Sequence, residues 1–247
     1  MPQSSVWRIP FGVTLRRLVL FDVDGTLVRA GEVGPSSFDR AVEMILGVTP
    51  AERPHMAGKT DGQIVREYLE ALGVARDQKL VSAVLEALGV ALAEADARGE
   101  IRTGGVALPG VAELLERLSD DDRVLSSLLT GNVAPNARLK TAAFGLDAWL
   151  DFETGAYGSD HHDRDRLVPI ALERSRAAHG VAFEPKDVWV VGDTPRDLAC
   201  ARAGGTHCLL VATGGYSYVE LADLGADAVF DDLSDVDAVQ EVLLEGL

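Results

Sequence analysis

A short apolar run that leads straight into two acids constrains the fold of this chain more than any other segment. Residues 18–21 contain no polar side chain, and Asp22, Asp24 and Gly25 follow them closely. An unbroken apolar strand is typical of a parallel sheet that is covered on both faces, and ligands bind such sheets beyond the carboxyl ends of the strands. The two carboxylates are therefore predicted to lie at a binding crevice.

The spacing of Asp22 and Asp24 allows two interpretations. Alternate side chains of an extended backbone share a face, so the two carboxylates would repel each other unless a cation neutralises them or one holds a proton. Mg²⁺ fits the first case because it takes oxygen ligands, and a nucleophile beside a general acid fits the second. The alternative is a β-turn of Asp and Gly that carries no chemistry.

A second candidate core strand ends in small polar residues. Residues 125–129 precede Thr130, Gly131 and Asn132, and a helical pattern follows over residues 135–144. Backbone N–H groups at a helix N-terminus bind anions, and a threonine hydroxyl can donate to a phosphate oxygen, so this segment is a candidate phosphate site. Helix capping by Thr130 or Asn132 is the alternative.

A third apolar run adds two more acids. Residues 188–191 precede Asp193, Pro195 and Asp197, and a helical pattern continues over residues 198–203. Asp193 alone could cap that helix, but four aspartates at the ends of two separate strands are hard to explain as caps. Such a cluster is expected of a metal-assisted phosphoryl-transfer site.

The order of these segments resembles that of a known family. Residues 21–27, 129–132 and 192–197 are similar to the first, second and fourth motifs of the haloacid dehalogenase-like hydrolase superfamily. The motifs and their connecting segments span about residues 16–231, which is most of the chain.

This resemblance implies roles for the motif residues. Asp22 would attack phosphorus and form an aspartyl-phosphate, and Asp24 would protonate the leaving oxygen and then activate water. Thr130 would hold the phosphoryl group, with Gly131 and Asn132 beside it in the substrate site.

The resemblance also implies Mg²⁺ as the cofactor. Its site would be built from four aspartates: Asp22, Asp24 through its backbone carbonyl, Asp193, and Asp197 in support.

The third motif departs from the family pattern. Members usually supply a Lys or Arg between the second and fourth motifs, often as Lys-Pro, and this sequence has no such dipeptide. Arg164 is the first candidate for this catalytic residue, Arg166 the second and Lys140 the third. For either arginine the alternative is an ordinary surface ion pair. Lys140 is expected on a solvated helix face.

A helical pattern between the first two apolar runs predicts an insert. From about residue 35 to residue 98 apolar residues recur at helical spacing, for example at Phe38, Val42 and Ile45. The resemblance makes this insert a cap over the site, with hinges near residues 29–34 and 102–110.

The predicted fold is therefore an α/β protein, with a Rossmann-like parallel sheet core and an inserted α-helical cap domain. The predicted boundaries are residues 1–30 and 106–247 for the core and residues 31–105 for the cap.

Lys59 is a candidate substrate-binding residue within the insert. It lies in a Gly-Lys-Thr-Asp-Gly segment that could present a cation to a substrate anion. Similar segments occur in the caps of phosphoglycolate-phosphatase-like family members. The alternative is that Thr60 or Asp61 caps the helix that follows.

The composition of the chain limits the classes of partner that it is expected to bind. The net charge of −16 argues against nucleic-acid binding, which needs clustered Lys and Arg. No apolar stretch approaches the about 18 residues of a membrane span, and residues 1–17 lack the pattern of a secretory signal. We expect a cytoplasmic protein with no nucleic-acid or membrane partner, and leave its oligomeric state open.

The cysteines and histidines are expected to be structural. Two cysteines, Cys200 and Cys208, do not make a disulfide framework and should be buried. His161 and His162 could suggest a transition-metal site, but adjacent side chains rarely converge on one ion, so a polar loop is favoured.

The leading functional hypothesis is a Mg²⁺-dependent phosphatase that acts on a small phosphorylated metabolite. A sugar-phosphate mutase shares the same motifs, and a phosphonate hydrolase would need a cap lysine such as Lys59. A 2-haloacid dehalogenase needs neither a metal nor Asp24. Outside the enzymes, the alternative is a regulatory binding protein that retains the fold.

Overall fold

The computed structural model describes residues 15–245. The sequence predicts a core that starts at residue 1 and no secretory signal in residues 1–17. Residues 1–14 of these segments lie outside the described residues. Among residues 15–245, no helix combines the length and the apolar character needed to cross a membrane.

A six-stranded parallel sheet forms the centre of the described chain. From one edge to the other its strands are β5 (Asp151–Tyr157), β4 (Val124–Thr130), β1 (Arg17–Phe21), β6 (Val188–Gly192), β7 (His207–Val211) and β8 (Ala228–Phe230). Every neighbouring pair in this sheet is parallel. This arrangement confirms the predicted Rossmann-like α/β fold.

The register of the central strands places the polar segments together. Phe21 of β1 lies opposite Leu128 of β4 and Val191 of β6. The carboxyl ends of these three central strands therefore lie side by side, at the same end of the sheet. Asp22, Thr130 and Asp193 lie at that end although they are far apart in sequence.

Helices cover both faces of the sheet. One face packs against α5 (Val111–Ser119), α6 (Ala134–Ala142) and α10 (Val236–Leu244), and the other against α7 (Leu167–His179), α8 (Pro195–Gly204) and α9 (Tyr218–Ala222). The side chains of residues 18–21 alternate between these two layers, and all four are fully buried. Full burial of one such side chain contributes about 1.5–3 kcal/mol, which is why the run contains no polar residue.

A helical insert interrupts the core after its first strand. It contains α1 (Val33–Leu46), α2 (Asp61–Ala71), α3 (Gln78–Ala97) and α4 (Glu100–Gly104), flanked by the short strands β2 (Val28–Arg29) and β3 (Val106–Ala107). Val42, Tyr68 and Leu69 belong to a separate buried cluster within it. The insert thus has its own small core.

The two chain segments that join the insert to the core pair with each other. Strands β2 and β3 are antiparallel, with Val28 opposite Ala107 and Arg29 opposite Val106. These are segments in which hinges are predicted from the sequence, and the hinge role stays a prediction.

Cys200 and Cys208 are free and buried, as predicted. Cys208 lies within β7 and Cys200 within α8, and both side chains belong to the apolar layer between the sheet and the helices on that face.

Candidate active site

A cavity of about 280 Å³ opens at the carboxyl ends of β1, β4 and β6, between the sheet and the insert. The core contributes the residues that follow these strands, together with Lys140 and Arg164. The insert contributes a wall that includes Phe38, Met56, Lys59 and Ile64. The predicted site residues therefore gather around one open cavity, except Asp197, which lies behind Asp22 and Asp193.

Three aspartates form a compact cluster beside this cavity. Asp22, Asp193 and Asp197 are all buried, and one carboxylate oxygen from each lies within 4.8 Å of the others. A Cβ atom at Gly25 would lie 2.4 Å from Oδ2 of Asp193, and one at Gly214 would lie 1.7 Å from the same atom. Both glycines are needed because any larger residue would displace that carboxylate.

Arg164 provides positive charge to this cluster. Its side chain is buried, and its Nη2 lies 3.1 Å from Oδ2 of Asp22 and also donates to Oδ1 of Asp197. The side chain of Arg166, two residues later, is 71% exposed, and its Nε lies 4.0 Å from Oδ2 of Asp163. The geometry therefore favours Arg164 over Arg166 as the basic residue of the third motif.

One oxygen of Asp22 remains without a partner. Oδ1 is buried and accepts no hydrogen bond from the described residues. A buried acceptor in this state is costly unless another group approaches it. Asp22 also lines the cavity, so this oxygen is suited to approach a metal ion or a substrate.

The electrostatics of the cluster favour an added cation. Burial raises the pKa of Asp22 to about 6, with Arg164 opposing the shift and Asp197 reinforcing it. Burial, together with the charges of Asp197 and Asp22, raises the pKa of Asp193 to about 8. Burial works against the charge of Arg164, but Asp197 and Asp22 outweigh it and raise its pKa. One guanidinium faces three carboxylates, so the cluster is short of positive charge.

Asp197 has a second task at the start of α8. Its Oδ2 accepts hydrogen bonds from the backbone N–H of Asp193 and Thr194 and from the Thr194 hydroxyl. Thr194 and Asp197 form the capping box of this helix. Asp193 is therefore not the cap, and its carboxylate is left for the cavity.

The second motif forms another part of the cavity wall. Thr130 is fully buried, and its Oγ1 accepts hydrogen bonds from Nδ2 of Asn132 at 2.9 Å and from the Asn132 backbone at 3.3 Å. The residue at the N-cap of α6 is Val133. Neither Thr130 nor Asn132 caps the helix, so the capping alternative is wrong for both.

The expectation that Lys140 lies on a solvated helix face is wrong. Its side chain is 8% exposed, and its Nζ lies 2.6 Å from Oδ2 of Asp24 and 2.7 Å from Oδ1 of Asn132. Asn136 and Ala137, one turn earlier on the same face of α6, are also buried, so this face of the helix packs against the protein. Lys140 lies on that face and lines the cavity. Lys140 is thus part of the site, although it contacts Asp24 rather than Asp22.

Lys59 lines the cavity, and its ammonium is already paired. Its Nζ lies 2.5 Å from Oε2 of Glu67, a residue of α2. Thr60 caps this helix, because its side chain accepts a hydrogen bond from the backbone N–H of Gln63. The functional and the capping interpretations of this segment are therefore compatible.

Asp61 joins the insert to the second motif, a contact that the sequence prediction missed. Its backbone N–H donates to the carbonyl of Gly131 at 2.7 Å, and its Oδ2 accepts from the backbone of Val133 at 2.8 Å. Burial raises its pKa to about 6, and Lys140 opposes that shift. No local pattern reveals such a pairing between residues 72 positions apart.

His161 and His162 lie in the loop after β5, as predicted. Their rings stack with centroids 4.6 Å apart. Within residues 15–245, the cluster with metal-ligand spacing is the one formed by Asp22, Asp193 and Asp197.

Comparison with known proteins gives consistent similarities. The family model described as haloacid dehalogenase-like hydrolase matches residues 19–202. A phosphoglycolate phosphatase from Rhodospirillum rubrum is 28% identical over 221 residues, which are 88% of each chain. Protein CbbY from Rhodobacter capsulatus is 27% identical over 78% of this chain and 84% of its own. The crystal structure of CbbY from Rhodobacter sphaeroides in complex with phosphate superposes with a TM-score of 0.69 at 20% identity, covering 90% of this chain and 96% of that one.

Proposed function

Because this chain belongs to the haloacid dehalogenase-like hydrolase family, we propose that it hydrolyses a small phosphorylated metabolite with Mg²⁺, through an aspartyl-phosphate at Asp22. The chain is a phosphoric monoester hydrolase, and its relatives support a small phosphorylated substrate. The observation that carries the mechanism is the unpartnered Oδ1 of Asp22, held in the cavity by Arg164 on the other oxygen.

In the first step, Asp22 would attack the phosphorus atom. A bond forms between a carboxylate oxygen and phosphorus, the bond from phosphorus to the leaving oxygen breaks, and Asp24 gives its proton to that oxygen. Thr130 and the backbone N–H groups of Gly131 and Asn132 would hold the phosphoryl oxygens. Arg164 offsets the charge that the Asp22 carboxylate brings to an anionic substrate.

In the second step, water would release the phosphate. Asp24, now ionised, takes a proton from a water molecule, whose oxygen bonds to phosphorus as the bond from phosphorus to Asp22 breaks. Inorganic phosphate leaves and both aspartates return to their starting states. One residue thus serves as acid and then as base.

The acid cluster fits a divalent cation. Asp22 and Asp193 would hold it, with the backbone carbonyl of Asp24, while Asp197 fixes Arg164 and the start of α8 behind them. A bound Mg²⁺ would neutralise charge on the substrate phosphoryl group and on the carboxylates. The unpartnered buried oxygen of Asp22 and the deficit of positive charge both support this assignment.

The insert wall supports a small substrate. Phe38, Met56 and Ile64 give this wall an apolar character, and Lys59 is neutralised by Glu67. We retain residues 31–105 as the cap, since the insert has its own apolar cluster, and assign residues 15–30 and 106–245 of the described chain to the core. The two unpaired cysteines support a cytoplasmic location, where thiols stay reduced.

Substitution of Arg164 tests this proposal against a neighbouring control. Arg164→Met should lower kcat/KM for p-nitrophenyl phosphate by about 10²-fold or more, because the Asp22 carboxylate then faces the substrate without its cation. Arg166→Met removes the same charge two residues away at an exposed position and should stay within about twofold of wild type.

Phosphate release and thermal denaturation are measured for both variants. Arg164→Lys is included because removal of a buried charge can unfold a protein. Equal effects of Arg164→Met and Arg166→Met in folded proteins would contradict the proposed role of Arg164.

A further inference from the structure

Lys140 forms a closed set of contacts with Asp24 and Asn132. Its ammonium lies 2.6 Å from Oδ2 of Asp24 and 2.7 Å from Oδ1 of Asn132, and Nδ2 of Asn132 donates to the same Oδ2 at 2.8 Å. Each of the three side chains therefore contacts the other two. Such a set resists rotation of any one member, and charge-assisted hydrogen bonds of this length are the stronger kind.

Both donors act on a single oxygen of Asp24. The side-chain hydrogen bonds of this carboxylate with other residues of the described chain all end on Oδ2. Asp24 remains 45% exposed and lines the cavity, whereas Lys140 is 8% exposed. Oδ2 is thus held by two donors, whereas Oδ1 has no such donor within the described chain and is left for a group that enters the cavity.

Lys140 and Arg164 contact different acids: Lys140 contacts the proposed general acid Asp24, and Arg164 contacts the proposed nucleophile Asp22. Arg164 contacts Asp22 and Asp197, while the ion pair of Lys140 is with Asp24. Two cations placed in this way can affect two separate events: the approach of the nucleophile and the transfer of the proton.

We propose that Lys140 is a positioning residue for Asp24: with Asn132, it holds Oδ2 so that Oδ1 exchanges the proton with the leaving-group oxygen. This inference rests on the proposed function, since it gives Asp24 the acid and base role. Lys140 belongs to α6 and lies outside the family motifs, and its proposed role is to orient the carboxylate of the general acid.

The dependence on the leaving group tests this inference. A good leaving group needs little protonation and a poor one needs much, so a misaimed acid slows poor leaving groups most. The probes are 4-nitrophenyl, phenyl and benzyl phosphate, which differ little in size. For Lys140→Met we expect kcat/KM to fall by a few-fold for 4-nitrophenyl phosphate and by roughly 10²-fold for benzyl phosphate.

Matched variants separate positioning from general damage. Arg138→Met removes an exposed cation from the same helix and should leave all three rates near wild type. Lys140→Gln keeps a hydrogen-bond donor without the charge and should fall between wild type and Lys140→Met. It also serves as the second variant if Lys140→Met denatures in a thermal melt.

A double substitution tests whether Lys140 acts through Asp24. In the Asp24→Asn background, Lys140→Met should cause no further loss of kcat/KM, because the residue through which it acts is already disabled. Multiplicative losses would overturn the inference, and so would an equal loss for all three leaving groups, which would indicate that Lys140 binds the phosphoryl group instead.

The proposed function is judged separately in the same assays. Turnover by wild type that Asp22→Asn abolishes supports the proposed function whatever Lys140 does. If wild type hydrolyses none of the three probes, both the proposed function and the role of Lys140 fail.

Discussion

Asp22→Asn is expected to lower phosphate release from p-nitrophenyl phosphate by about 10⁴-fold or more, since the amide cannot attack phosphorus and removal of a nucleophile costs losses of this size. The variant should remain folded. Arg164 keeps its contact with Asp197, and the amide fits the space of the carboxylate. Because burial and the neighbouring Asp197 raise the pKa of Asp22 to about 6, the amide relieves an unfavourable buried charge at neutral pH.

The control for this variant is its thermal denaturation. A melting temperature equal to or above that of wild type would show that lost activity is not lost structure. Undiminished turnover by folded Asp22→Asn would contradict the assignment of Asp22 as nucleophile.

Removal of divalent metal is expected to abolish turnover, and added Mg²⁺ should restore it. The described cluster sets three carboxylates against one guanidinium, so a substrate phosphate would meet net negative charge without a further cation. Dialysis against excess EDTA followed by titration of Mg²⁺ measures the requirement. Full activity in EDTA would contradict the metal mechanism.

Asp193→Asn localises that requirement to the cluster. The side chain of Asp193 accepts a hydrogen bond from Thr26 at 3.3 Å, and no arginine or lysine of the described chain pairs with it. Because a ligand that binds the native state stabilises it, Mg²⁺ should raise the melting temperature of wild type and have little effect on Asp193→Asn. Asp223→Asn, at an exposed position, should respond to Mg²⁺ as wild type does.

The sequence predicted the central sheet well because its strands are buried on both faces. Residues 18–21 and 188–191 are apolar without interruption, and residues 125–129 are apolar except for two buried serines. Each segment becomes a strand that ends at the polar residues expected to follow it. Where strand ends carry the chemistry, locating the strands also locates Asp22, Thr130 and Asp193.

Other features could not be predicted because they depend on contacts between distant residues. Strand β5 lies at a sheet edge and contains Asp151, Glu153 and Gly155, so its pattern lacks the apolar run of a central strand. Lys140 resembles any surface lysine of a helix until the fold brings that face against Asp24. The docking of Asp61 on the second motif likewise joins segments that share no local pattern.

The most direct test of the account is to trap the phosphorylated enzyme. The protein is acid-quenched during turnover of p-nitrophenyl phosphate and reduced with borohydride, which converts an aspartyl-phosphate to homoserine. Trypsin then releases residues 18–29, which contain only Asp22 and Asp24 as acids. We predict homoserine at position 22, dependent on substrate and on Mg²⁺. An unmodified peptide under conditions of full turnover, or homoserine at position 24, would contradict a covalent mechanism through Asp22.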